Sequence, residues 1–160
     1  MGDGLQIRVT MEASDPEIAA AMSIMTVAFP PEYGEAWSGP QLAAMMRLPG
    51  SILVIGRIGE TPVGFGLLRS IAGEAELLLL AVRPEQRGGR HGRRLLDRCM
   101  TEAEGSGARE MFLEVRAGNP AIHLYSKAGF RQYNLRRDYY VGNNGERYDA
   151  LSFKIILGHD

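Results

Sequence analysis

Leu5 to Thr10 alternates apolar and polar residues, the pattern of a strand with one buried face. Asp15 and Pro16 then mark a helix start, with Asp15 as N-cap and Pro16 at the first helical position, and the helix ends near Pro30-Pro31. Pro30 to Trp37 reads as a loop. Ser38 and Gln41 stand at capping-box spacing, which predicts a second helix through Met45 and Met46 to about Leu48, stopped by Pro49-Gly50. Three strand-like runs follow, Ser51 to Ile58, Pro62 to Ile71 and Glu74 to Val82, divided by Gly59-Glu60-Thr61 and Ala72-Gly73 as in an antiparallel meander. Leu77 to Leu80 is apolar at every position, which predicts a central strand buried on both faces.

From Arg90 to about Glu104, Leu95, Leu96, Cys99, Met100 and Ala103 share one helical face, and Gly105-Ser106-Gly107 ends the helix. Arg109 to Val115 reads as a strand and Pro120 to Lys127 as a short helix closed by Gly129. Phe130 to Tyr140 and Arg147 to Ile156 form a hairpin across Gly142 to Gly145. No internal repeat, linker or low-complexity tract interrupts this order. The expectation is therefore one α/β (α+β) domain over residues 1–160, with about seven strands and about four helices.

Composition narrows the classes of function. The chain has 160 residues, 45% hydrophobic and 23% charged, with a formal net charge of -1. No overall basic field attracts nucleic acid or an anionic membrane, so neither is an expected partner. The longest apolar stretch, Ile18 to Phe29, is too short to span a bilayer, and Met1 to Glu12 carries no secretory-signal pattern. The single cysteine, Cys99, excludes an internal disulfide and reads as a core residue. His91, His123 and His159 do not fall at metal-ligand spacing, and no metal is expected. A cytoplasmic protein, monomer or homodimer, is the default.

Candidate chemistry concentrates in Val82-Arg83-Pro84-Glu85-Gln86-Arg87-Gly88-Gly89-Arg90-His91-Gly92-Arg93-Arg94. A glycine-rich turn between a buried strand and a helix offers main-chain N–H groups and the positive end of the helix dipole to an anion. Arg83, Arg87, Arg90, Arg93 and Arg94 crowd a helix start, where the dipole disfavours cations, and a bound phosphate would relieve that conflict. The turn lacks the first G-x-G of the dinucleotide fingerprint and the G-K-[ST] of a P-loop.

Arg87-Gly88-Gly89-Arg90-His91-Gly92 instead resembles the Q/R-x-x-G-x-G/A signature of the GNAT acetyltransferase superfamily, with Arg90 where the pattern has glycine. Asn119-Pro120-Ala121-Ile122-His123-Leu124-Tyr125-Ser126-Lys127-Ala128-Gly129-Phe130 is similar to that family's N-x-x-A-I-x-L-Y-x-x-x-G-F element, one residue short between asparagine and tyrosine. Phe112 to Asn119, Arg136 to Tyr140 and Asp149-Ala150 resemble the RimI group within it, whose members acetylate the N-terminal alanine of a small-subunit ribosomal protein. The likeness covers Glu74 to Phe153.

The resemblance implies a mixed, mostly antiparallel sheet and acetyl-CoA as cosubstrate, with a primary amine, the ribosomal-protein N-terminus, as acceptor. It places the cofactor against Leu80, Ala81, Val82, Arg87, Gly88, Gly89, Arg90, His91, Gly92, Arg93 and Asn119. It makes Glu114 the proton acceptor and Tyr125 the general acid, and brings Glu35, Trp37, Tyr139 and Tyr140 to the acceptor groove. A main-chain N–H near Leu80 to Val82, at a strand bulge, would face the oxyanion. Alternatives stay open: Glu114 in a salt bridge with Arg116 or Arg109, Tyr125 as a packing residue, and Trp37 as a staple of the second helix. A small-molecule amine as acceptor, or a non-catalytic CoA-binding domain, would carry the same motifs.

Overall fold

The computed structural model describes residues 4–158. Its elements in chain order are β1 (Leu5–Thr10), α1 (Asp15–Ala28), a 3-10 turn (Pro31–Tyr33), α2 (Gly39–Met46), β2 (Ser51–Ile58), β3 (Thr61–Ile71) and β4 (Glu74–Val82). A second 3-10 turn (Pro84–Gln86), α3 (His91–Gly105), β5 (Glu110–Arg116), α4 (Ala121–Ala128), β6 (Arg131–Val141) and β7 (Arg147–Ile156) follow. The seven strands form one sheet in the order β1-β2-β3-β4-β5-β7-β6. Only β4 and β5 pair in parallel; every other neighbouring pair is antiparallel.

The unbroken apolar run of β4 lies at the centre of this sheet, as its composition requires. On one face α1 and α2 bury Ala21, Ile24, Met25, Leu42 and Met46 against Leu53, Ile55, Phe65, Leu67, Leu79 and Ala81. On the other, α3 and α4 bury Leu95, Leu96, Cys99, Ala103 and Tyr125 against Val54, Leu68, Leu77, Met111, Leu113 and Val115. Close approach of α3 needs glycine in the sheet. A Cβ on Gly66 would lie 2.5 Å from Cys99 Sγ, and one on Gly64 would lie 2.6 Å from a Leu95 methyl. Cys99 is thus a core residue, and burial pushes its thiol up to about 12.

Three helix starts differ from expectation by one residue. Ser14 is the N-cap of α1, so Asp15 lies inside the first turn, where its charge complements the dipole. Arg90 is the N-cap of α3 in a left-handed conformation (φ 72), and the helix begins at His91. Pro120 caps α4 rather than opening it.

Two features of β4 shape the site. The β3–β4 register shifts so that Leu67 faces Leu79 and Leu68 faces Leu77, leaving Leu78 as a bulge. Leu78 and Leu79 consequently turn to the same α1–α2 face, while Leu77, Leu80 and Val82 pack on the α3–α4 side. The β4–β5 ladder stops at Leu77 and Leu113. Beyond that rung β4 continues against β3 and β5 against β7, and the two central strands diverge.

Candidate active site

The divergence opens a cavity of about 770 Å³ between the second half of β4 and the end of β5. Arg83 N donates to Val63 O at 2.8 Å, so by antiparallel alternation Leu80 and Val82 turn their main-chain groups away from β3 and toward the opening. Val82 O is already engaged by Arg87 Nε at 3.1 Å. Leu80 therefore presents main-chain groups to the cavity where a β5 partner would otherwise sit.

At one end of the cavity lies the start of α3. Arg94 N closes the first helical turn onto Arg90 O at 3.0 Å, and no side chain caps the helix. The N–H groups preceding Arg94 have no partner within the helix. Gly88 (φ 86) and Arg90 (φ 72) both adopt left-handed conformations, which wind the turn around the helix end. These residues suit the diphosphate of a coenzyme: uncapped amides, a dipole of the right sign and a cavity running from them to β4.

The arginines are less available than their crowding suggests. Arg83 donates from Nε to Pro62 O at 2.7 Å and from Nη2 to Ser23 Oγ at 3.2 Å. Arg87 ties Val82 O to Ala28 O, the last residue of α1, at 3.1 and 3.0 Å. Arg94 reaches Leu5 O at 3.3 Å, and Arg93 pairs with Asp97 at 2.9 Å. Arg90 alone of the five makes no hydrogen bond or ion pair with its side chain among the described residues. Most of these cations thus relieve their position by binding protein carbonyls and carboxylates, a solution invisible to helix-dipole reasoning.

Glu114 and Tyr125 reach the cavity from opposite faces of the sheet. Met111, Leu113 and Val115 pack toward α3 and α4, so Glu114 stands on the α1–α2 side. Its Oε2 accepts from Arg136 Nε at 2.7 Å and from Ser152 Oγ, directly across on β7, at 3.0 Å. The ion-pair partner is therefore Arg136, not Arg116 or Arg109. Tyr125 belongs to the α3–α4 core, with its ring 5.9 Å from Phe130 in edge contact. Burial raises its phenol well above the ordinary tyrosine value, so the hydroxyl stays protonated.

A strap roofs the α1–α2 side. Glu35 Oε1 lies 3.3 Å from Arg116 Nε in an ion pair whose side chains are 8% and 9% exposed. Asn119 Nδ2 donates to Glu35 Oε2 at 2.8 Å while Asn119 Oδ1 accepts from Ala121 N at 2.8 Å. The Arg116 guanidinium lies 3.6 Å from the Tyr33 ring centre. The loop then meets the β6–β7 hairpin: Gly34 has no room for a side chain against the Val141 backbone, nor Gly142 against Glu32, and Tyr33 contacts Tyr148 edge-on at 5.3 Å. Tyr139 and Tyr140 stand in edge contact at 5.1 Å, with the Tyr140 hydroxyl 3.4 Å from Glu114 O.

All the site residues expected from sequence line this one cavity except Gly89. Glu35 and Asn119 line it with side chains engaged by the protein itself. Tyr33 belongs to the loop Glu32 to Trp37 expected at the acceptor groove, and Arg116 was expected only as a partner of Glu114; Glu76, Arg136 and Ser152 were not anticipated. Glu76 carried a usable signal, since it immediately precedes the apolar run on the same strand and shares the parity of Leu78; the others meet their partners only through tertiary contact. Among the described residues no group of three His, Cys, Asp or Glu could hold a metal, and His159 lies outside them. No helix among them is long and apolar enough to cross a membrane.

Residues 18–130 match the model of the acetyltransferase (GNAT) family, and the chain belongs to that family. Among its relatives is the ribosomal protein bS18-alanine N-acetyltransferase of Haemophilus influenzae, 33% identical over 95 residues. That stretch is 59% of this chain and 65% of the relative, somewhat under two-thirds of the relative's length. The crystal structure of the ribosomal-protein-S18-alanine N-acetyltransferase from Escherichia coli superposes with a TM-score of 0.81 at 27% identity, covering 97% of this chain and 96% of that one. A structure of yncA from Salmonella typhimurium with its cofactor acetyl-CoA shares the fold at a TM-score of 0.76 and 19% identity, covering 99% and 96%.

Proposed function

We propose that the chain, as a single domain over residues 1–160, transfers the acetyl group of acetyl-CoA to a primary amine. The acceptor is the N-terminal alanine of a small-subunit ribosomal protein. One observation carries this: the gap between β4 and β5 is reached by a carboxylate from one face and a protonated phenol from the other, with an uncapped helix start at its end. When bound, acetyl-CoA supplies an activated thioester. Residues 88–93 and the Leu80 main chain would hold it, and the Leu80 N–H would be available to stabilise the reacting carbonyl.

The α-amine has an unperturbed pKa of about 7.7 to 8.0, so one weakly held proton must be removed before attack. The Glu114 carboxylate takes it, with Ser152 and Arg136 holding Oε2 in place. Tyr125 Oη holds the proton needed on the thiol side. The Glu35–Arg116–Asn119 strap borders the α1–α2 side of the cavity. The family likeness and the relatives named above support the acceptor class. A single cysteine, with no internal disulfide to form, fits a reducing compartment such as the cytoplasm.

Incubation with labelled acetyl-CoA and panels of alanine-starting peptides and small amines tests this. Label is expected on the peptides; label confined to polyamines, amino acids or aminoglycosides would overturn the acceptor. Glu114→Gln and Tyr125→Phe should each lower turnover at least about tenfold, with CoA affinity nearly unchanged. Normal rates in both variants would remove the roles given to them.

A further inference from the structure

The three carboxylates on the acceptor side of the cavity, Glu35, Glu76 and Glu114, are unequal. Glu114 is already held by Arg136 and Ser152. Glu76 lies on β4 at the rung before the last, opposite Phe112 on β5 and Arg69 on β3. Phe112 and Glu114 share a face, so Glu76 stands beside Glu114 on the side from which an amine would enter. Its side chain lines the cavity and makes no hydrogen bond or ion pair among the described residues.

The charged groups that act on Glu76 are Glu114 from β5, Arg136 from β6 and Arg69 from β3, with the phenol of Tyr139 nearby. Arg136 bonds Glu114 instead, and Arg69 Nε donates to Pro49 O at 2.9 Å. Lost hydration in the cleft, and next the charge of Glu114, raise the Glu76 carboxyl above the ordinary glutamate value against the pull of both arginines. Glu35, the acid expected to greet the acceptor, is neutralised by Arg116. What remains is one carboxylate, unpaired by the protein, beside the proton acceptor.

We propose, on the basis of the acetyl-transfer function set out above, that Glu76 is the residue that recognises the acceptor's charge: its carboxylate holds the incoming amine as an ammonium ion next to Glu114. Glu114 then takes one of the three ammonium protons, leaving a neutral nitrogen and a glutamic acid, while Glu76 keeps its own charge throughout. The nitrogen is cationic on arrival and becomes so again as it bonds to carbon. The contact is therefore of similar strength before and during reaction, which places its effect in KM rather than kcat.

Steady-state kinetics of the full chain, with an alanine-starting peptide varied at saturating acetyl-CoA, test this in Glu76→Gln and Glu76→Asp. In Glu76→Gln the acceptor KM should rise about tenfold, as expected for loss of one charge-assisted contact, with kcat within about twofold and the acetyl-CoA KM unchanged. Glu76→Asp should recover most of the affinity. The wild-type acceptor KM should also rise as pH falls through the Glu76 titration, a limb absent from Glu76→Gln. An unchanged acceptor KM, or a fall in kcat at constant KM, would overturn the role. Wild-type protein that acetylates no amine would instead refute the acetyl-transfer function, and the Glu76 role with it.

Discussion

Helix α2 enters its first turn through a closed capping box, with Gln41 N donating to Ser38 Oγ at 3.2 Å and Ser38 N donating to Gln41 Oε1 at 2.7 Å. Helix α3 is nearly twice as long and begins with no side-chain cap, behind a glycine and an arginine in left-handed conformations. Propensity does not explain the difference, because an arginine in the left-handed conformation at position 90 costs about 1 kcal/mol in backbone strain. Where the protein satisfies its own N–H groups, the helix only supports the fold. At α3 the start without a side-chain cap lies beside the cavity, and the diphosphate proposed above would complete it.

Filling the open end is the strongest way to break this contrast. Gly92 has ordinary space for a Cβ, with Leu124 at 3.5 Å and Val82 at 3.7 Å. Gly92→Asp should therefore fold, gain from the helix dipole, and repel the diphosphate, weakening CoA binding about a hundredfold in a calorimetric titration. Unchanged affinity would place the coenzyme elsewhere. The closed end answers differently: Ser38→Ala should cost about 1 kcal/mol, lowering the melting temperature by about 2 to 4 °C and leaving CoA affinity alone. Arg90→Gly sharpens the comparison with the smallest effect. It should release somewhat under about 1 kcal/mol of strain, visible as a slightly higher melting temperature, while weakening CoA binding by no more than about fivefold through loss of an exposed ion pair.

Much of this was legible in the chain because it is written in local pattern. The Ser38–Gln41 spacing gave α2 its start, the leucine run gave β4 its central place, and Gly129 (φ 107) closes α4 as its position predicts. The bulge was not legible, because in four consecutive leucines nothing marks where parity changes, and only burial shows Leu78 and Leu79 on one face. Nor could helix-dipole reasoning assign the arginines, whose long side chains reach carbonyls on β4, α1 and β1. The Glu35–Arg116–Asn119 network joins residues some 80 positions apart, so an acid read as a free acceptor contact proves to be half of a buried pair. Glu76 and its neighbour in function, Glu114, lie on different strands 38 positions apart, so no local spacing joins them.

Calorimetry comparing CoA with pantetheine, which lacks the diphosphate, interrogates the open helix start most directly. Micromolar binding of CoA, with pantetheine at least about a hundredfold weaker, is the expected result. Equal affinities, or no heat from CoA at millimolar concentration, would contradict the assignment of that helix start to the coenzyme.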